Sequence, residues 1–225
     1  MRILSELVRR SGLMLVGLLW SVVTSAQVNK AGTVHLGLSG SLGLHATTYV
    51  EKQYLGILGL VQESTTHDGA VSWTFPIDLQ VGVAKVLSAG LYLEPGVYLD
   101  SSAAKSNAIF IAGLAPRFYL VNTDHFAWTL LLGGGIGTLQ IEERYSGGNA
   151  RTIYLSGGQL RIGTGVLVIF GRHVGLQAGL KYAYYDLPLR KSEYNGQEES
   201  LSNYDGHLTA SGFHVDLGLA VRIGK

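Results

Sequence analysis

Three residues near the C-terminus carry the side chains of a hydrolytic relay. Asp205, His207 and Ser211 supply an acid, a base and a hydroxyl in the order Asp-x-His-x-x-x-Ser. A nucleophilic hydroxyl needs a base within hydrogen-bond reach and an acid that orients that base. The spacing permits such a group without requiring it, and no Gly-x-Ser-x-Gly occurs in the chain. Gly133-Gly134-Gly135-Ile136-Gly137 and Gly163-Thr164-Gly165 look like phosphate loops, but no amphipathic helix follows either. No helix N-terminus is then available to hold an anion. Histidines stand at His35, His45, His67, His125, His173, His207 and His214, none paired at metal-ligand spacing on one element. The chain has no cysteine, which removes thiol catalysis, disulfides and cysteine metal sites together. The expectation is a chain with no catalytic residue, no metal and no cofactor.

A second set of reactive side chains follows a different rule. Asp78, Glu94, Arg117, Arg161, Lys181, Asp216 and Arg222 fall at alternate positions among Gly, Ser, Ala and Tyr, and the intervening positions are large and apolar. Charges of both signs among small residues suit a confined interior where each finds a partner. These seven residues are expected to form a polar network inside a barrel. Glu94, Arg117, Arg161 and Asp216 are expected to be hydrogen-bonded within it. A narrow ion path gated by the same network is the functional alternative.

The elements that must hold this network show a side-chain period of two. The clearest is 213–223, with Phe213, Val215, Leu217, Leu219, Val221 and Ile223 on one face and His214, Asp216, Gly218, Ala220 and Arg222 on the other. Seven earlier stretches repeat it. Their apolar faces are Val34 to Leu44, Trp73 to Val83, Leu91 to Leu99, Phe110 to Leu120, Phe126 to Ile136, Leu160 to Phe170 and Val174 to Tyr184. Between them long gaps alternate with tight turns, the latter at 87–89, 122–124 and 171–173. The reading is all-β, an eight-stranded antiparallel up-and-down transmembrane β-barrel. Short turns would face the periplasm and long loops the exterior. Trp73, Phe75, Phe110, Tyr182, Tyr184 and Phe213 adjoin the long loops, whereas Phe118, Phe126, Trp128 and Phe170 adjoin the turns. These are the two aromatic girdles of a bilayer-spanning barrel. The apolar patch Tyr54-Leu55-Gly56-Ile57-Leu58-Gly59-Leu60-Val61 reads either as an extension of the first hairpin or as a short helix.

The N-terminus reads as a signal peptide over 1–26. Arg2, Arg9 and Arg10 precede an apolar run from Gly12 to Val23, and Thr24-Ser25-Ala26 offers a cleavage site. The run falls short of the ~18 residues a spanning helix needs. Without residues 1–26 the chain keeps 14 basic and 15 acidic residues, so nothing in its net charge points to nucleic acid. The rest, 27–225, is one outer-membrane barrel domain.

The rival architecture is a soluble periplasmic carrier of the lipocalin kind, which hides its apolar face and wets the other. Such a wet face should be dense in Lys, Glu, Asn and Thr, and here it is mostly small. Eight strands enclose an interior about filled by side chains, so a plugged lumen is expected. An interaction role would then fall to the loops at 46–71 and 186–208, open to an extracellular ligand or protein, with outer-membrane lipid around the wall.

The segments Gly90-Leu91-Tyr92-Leu93-Glu94-Pro95-Gly96-Val97-Tyr98-Leu99, Leu131-Leu132-Gly133-Gly134-Gly135-Ile136-Gly137 and 213–223 carry a resemblance. The chain resembles the small eight-stranded outer-membrane barrels of the outer membrane protein A and X type, and the porin-family outer membrane protein beta-barrel domain. The resemblance covers almost all of 32–225 and implies outer-membrane insertion and a structural or adhesive role without catalysis. Such barrels often end in an aromatic residue, whereas this chain ends Arg222-Ile223-Gly224-Lys225. No peptidoglycan-binding segment follows the last strand, so tethering to the cell wall is not expected.

Overall fold

The computed structural model describes residues 27–55, 60–100, 106–145 and 148–223. The segment 1–26, read above as a signal peptide, and the tip 56–59 of the apolar patch lie outside the described residues. The strands are β1 (Val34–Leu55), β2 (Leu60–Thr74), β3 (Ile77–Ala84), β4 (Leu87–Asp100), β5 (Asn107–Leu114), β6 (Arg117–Asn122), β7 (Phe126–Arg144), β8 (Ala150–Phe170), β9 (Val174–Tyr194), β10 (Gln197–Glu198) and β11 (Tyr204–Ile223).

Ten of these segments make eight wall strands. β2 and β3 are one strand interrupted at Pro76, and β5 and β6 are one interrupted at Pro116. Proline lacks the N–H that a ladder uses. The ladder continues through the proline carbonyls: Pro76 O accepts from Ser39 N at 2.9 Å and Pro116 O from Leu132 N at 3.2 Å. β10 is a short return strand on β9. All pairings are antiparallel, and β11 pairs with β1, so the ladder closes on itself.

The register fixes the size of the barrel. Partners run from Leu36 through Leu79, Leu91, Leu114, Gly134, Leu160, Tyr184 and Ser211, returning to β1 at Ala46, a shear of ten residues. Eight strands with that shear tilt by about 40° around a backbone cylinder of about 8 Å radius. The even shear lets inward and outward positions keep their parity around the ring.

The outward face is apolar and bare. Leu36, Leu38, Leu42, Leu79, Leu93, Leu130, Ile162, Leu180, Leu217 and Leu219 are all at least 42% exposed, and both aromatic girdles lie on the same outer surface. No soluble barrel leaves such a belt in water. A closed ladder also satisfies every wall backbone group, as a bilayer demands. Leu217, 66% exposed and midway along β11 between Phe213 and Ile223, gives a direct test. Leu217→Arg is expected to cost about 2–4 kcal/mol, the midplane penalty for a lipid-facing cation. The readout is the urea midpoint at which the heat-sensitive gel shift is lost. An unchanged midpoint would place that face in water.

Two boundaries differ from the sequence reading. The first tight turn centres on Lys85 and Val86, two residues before 87–89, because Leu87 already pairs with Ala84. The segments 46–71 and 186–208 are mostly strand: β1 and β2 pair up to Leu55 and Leu60, and β9 and β11 run to Tyr194 and Tyr204. The described ends of the apolar patch, Tyr54-Leu55 and Leu60-Val61, prolong the first hairpin.

The extension has a physical cause. Above the upper girdle the alternation continues with its polarity reversed. On β9 the outward series Leu180, Tyr182, Tyr184 gives way to Asp186, Pro188 and Arg190, and the inward series Lys181, Ala183, Tyr185 gives way to Leu187 and Leu189. On β11, Ser211, Thr209 and His207 lie outward above Phe213, while Ala210 and Leu208 are buried inside. On β7, Thr138 and Gln140 follow Ile136 outward, and Leu139 turns inward. The lower part of the wall meets lipid and the upper part meets water, so the apolar side moves from outside to inside.

Candidate functional site

The lumen is stacked in layers. At its centre Glu94 is fully buried. Thr74 Oγ1 donates to its Oε1 at 2.6 Å, Arg161 Nη1 to its Oε2 at 2.8 Å, and Lys181 Nζ to both oxygens at 3.1 and 3.2 Å. Lys181 also lies 3.2 Å from Asp216 Oδ1. The Arg161 guanidinium stacks on the Tyr92 ring at 3.7 Å, and the Tyr92 hydroxyl donates to Gln159 Oε1 at 2.5 Å. One carboxylate thus faces two cations, and the second carboxylate balances the surplus.

A second ion pair sits nearer the turns. Arg117 Nη2 donates to Asp78 Oδ1 at 2.5 Å, and Gln177 Nε2 donates to Asp78 Oδ2 at 3.3 Å and Ser39 Oγ at 2.8 Å. Asp78, Arg117, Arg161, Lys181 and Asp216 all border one cavity of about 90 Å³. Gly165 and Gly179, paired across β8 and β9, leave its wall free of side chains there. Polar lining of this kind and volume holds a few waters.

Six of the seven expected network residues therefore gather in two neighbouring clusters. Arg222 does not join them. It lies at the periplasmic mouth and donates to backbone carbonyls of Arg172 at 3.0 Å, Gln27 at 3.4 Å and Asp124 at 3.5 Å. Its parity on β11 is inward, but it stands six residues beyond Asp216, level with the turn carbonyls of Asp124 and Arg172 and with Gln27 O before β1.

Above the ion layer lies a band that local sequence does not reveal. His45 and His214 stack edge to face at 4.8 Å between ring centroids, with His45 Nε2 2.8 Å from Ser72 Oγ and His214 Nε2 3.4 Å from Tyr185 OH. The two histidines lie on β1 and β11 at inward positions near one another in the ladder, where Gly43 pairs with His214. Only the closing register brings them together.

Both ends are shut. The extracellular closure is an apolar core containing Tyr98, Ile109, Leu139, Ile153, Leu155, Leu187, Leu189 and Leu208. Leu201 packs on it from the segment after β10. Glu199 secures that segment: its N donates to Ser192 O at 2.8 Å, its Oε2 accepts from Ser192 Oγ at 2.6 Å, and it pairs with Arg151 at 3.3 Å. Arg151 in turn covers the Tyr204 ring at 4.9 Å. Burial, followed by the hydrogen bonds its hydroxyl donates to Tyr49 and Glu51, pushes the Tyr204 phenol above its usual range, so it stays neutral. The periplasmic closure is a smaller cluster of Val28, Tyr119, Ala127, Leu167, Ile169 and Ala220.

The hydrolytic relay is not assembled. Asp205, His207 and Ser211 all point outward along β11, and Ser211 stands four residues from His207, about 13 Å along an extended strand. His207 Nε2 instead meets Asp186 Oδ1 on β9. The glycine runs lie inside β7 and β8, with no helix after them. Among the described residues no group of three or more metal-ligating side chains comes together.

No family model and no curated protein matches the chain. Solved structures do. The outer membrane protein OprG from Pseudomonas aeruginosa is 13% identical, superposes with a TM-score of 0.54, and the match covers 88% of this chain and 98% of that one. The chain folds as a small outer-membrane β-barrel. Neisserial surface protein A is 14% identical over 78% of this chain and 96% of its own, with a TM-score of 0.43. The attachment invasion locus protein of Yersinia pestis is 12% identical over 86% and 99%, with a TM-score of 0.41. The bare apolar belt and this fold together place the barrel in the bacterial outer membrane, with lipid against its wall.

Proposed function

We propose that the barrel is a non-catalytic surface-interaction protein that works through its extracellular extension and does not conduct. The observation that carries this is the pair of closures. An apolar core seals the lumen above the bilayer and a second cluster seals it below. The same extracellular core makes the extension rigid, so its outward polar groups are held on strands instead of mobile loops. Asp186, Arg190, His207 and Thr209 lie there on paired strands, and beyond them the first hairpin presents Gln62, Glu63, Ser64, Thr65, Thr66 and His67 exposed. Mixed charge and hydroxyls of this kind suit a polar ligand such as a saccharide or a protein surface.

Two measurements test the reading. Purified barrel in a planar bilayer is expected to give no resolvable current steps in concentrated potassium chloride, and regular steps would favour the narrow-pore alternative. Cells displaying the barrel are expected to be retained on a panel of saccharide- and protein-coated surfaces. Cutting the first hairpin back to Ala46 and Ala70 should abolish that retention with the gel shift intact, whereas retention that survives the cut would argue against an interaction through the hairpin.

A further inference from the structure

The periplasmic closure is not part of the wall. Residues 27–33 precede β1 and belong to no strand. They cross the mouth and are held there by both backbone and side-chain bonds. Val28 is fully buried in the lower cluster, and its N donates to Thr123 O at 2.7 Å. Asn29, equally buried, bonds both neighbouring turns: its Nδ2 donates to Ala84 O at 2.7 Å, its N to Asn122 Oδ1 at 3.0 Å, and Asn122 Nδ2 returns a bond to Asn29 O at 2.7 Å. The segment joins β1 through Gly32, whose φ of 82° is a left-handed conformation that glycine adopts without steric cost. Directly above, Tyr119 and Leu167 belong both to the cluster around Val28 and to the wall of the polar cavity.

We infer that residues 27–33 form a latch on the periplasmic mouth, with Val28 as cork, Asn29 as catch and Gly32 as hinge, which decides whether the polar cavity communicates with the periplasm. Lifting the segment about Gly32 gives up the bond from Gly32 N to Gly82 O at 2.9 Å but leaves that from Gly82 N to Thr33 O at 2.7 Å and every pairing of β1, so the barrel survives with its lower half open. The cavity then admits water and small hydrophilic solutes as far as the Glu94 layer. The upper core still blocks passage, so the latch governs access from one side and does not create a channel.

The absence of cysteine gives a clean background for the test. Thr129 lines the cavity and is 9% exposed, and Thr129→Cys is close to isosteric. The rate of modification by a small, water-soluble methanethiosulfonate is measured on the folded barrel in detergent, with the gel shift as the check of folding. Slow labelling is expected for Thr129→Cys alone. Adding Asn29→Ala removes the side-chain catch and should speed labelling about tenfold, the effect of losing one to two hydrogen bonds on the open population. Adding Val28→Asp should do at least as much. Adding Glu199→Ala, which loosens the other end, should change nothing. Labelling of Thr129→Cys at the rate of a free thiol would overturn the proposal. So would a rate insensitive to both latch substitutions in folded barrel, or an equal acceleration by Glu199→Ala.

Discussion

Replacing Glu94 with leucine is expected to destabilise the barrel by about 3–5 kcal/mol, the usual cost of leaving buried charge without its partner. Glu94 is the one carboxylate shared by Arg161 and Lys181, and it has no exposure to solvent. Without it Lys181 keeps Asp216, but Arg161 keeps only the face of the Tyr92 ring. The apolar volume gained does not offset two desolvated cations. The measurement is the urea midpoint of the heat-sensitive gel shift. The triple variant Glu94→Leu, Arg161→Met, Lys181→Met should recover much of the loss, since replacing a whole buried ion cluster by packed apolar residues is often neutral or stabilising. A single variant as stable as the original would mean that water reaches this layer freely.

Leu155→Asp is expected to open the extracellular extension while leaving the membrane barrel folded. Leu155 is 1% exposed, paired with Leu189 and packed in the upper core. Truncation of such a leucine to alanine costs about 2–5 kcal/mol, and a buried carboxylate adds a desolvation penalty. Its neighbour Ser156 points outward on the same strand, so Ser156→Asp should be silent. Limited proteolysis from outside the cell checks the pair: cleavage between β7 and β8 or between β9 and β11 should appear in Leu155→Asp and be absent in Ser156→Asp. The reverse pattern would mean that the upper wall still faces lipid. This contrast tests the polarity reversal at Tyr184 and Phe213 more directly than any change within the belt.

The wall was legible in the sequence because a strand's side-chain period of two is a local property. Phe213, Val215, Leu217 and Leu219 had to share a face whatever their neighbours were. The girdles and the alternation of tight turns with long connections followed from the same local rule. The upper strands were missed for a physical reason. Above the bilayer a water-facing strand shows polar residues outward and leucines inward, so the reading that tracked lipid-facing apolar positions lost its phase at Tyr184–Tyr185 and at Ile136–Thr138. Leu187 and Leu189 in a hydrophilic stretch, and Ile153 and Leu155 beyond a polar one, were the available signals.

The sequence by itself determined which charges face the lumen, since inward parity is local. It could not determine how they pair. Asp78 with Arg117, and Glu94 with Arg161 and Lys181, depend on stagger between strands that are far apart in the chain, a quantity set by the shear of ten on closure. Arg222 shows the limit: it has the right parity but stands at the mouth. Only the tertiary structure set His45 against His214, or brought Val28 and Asn29 beneath turns at Lys85 and Thr123. A residue's face is fixed by its own backbone, whereas its height and its partners are fixed only when the last strand meets the first.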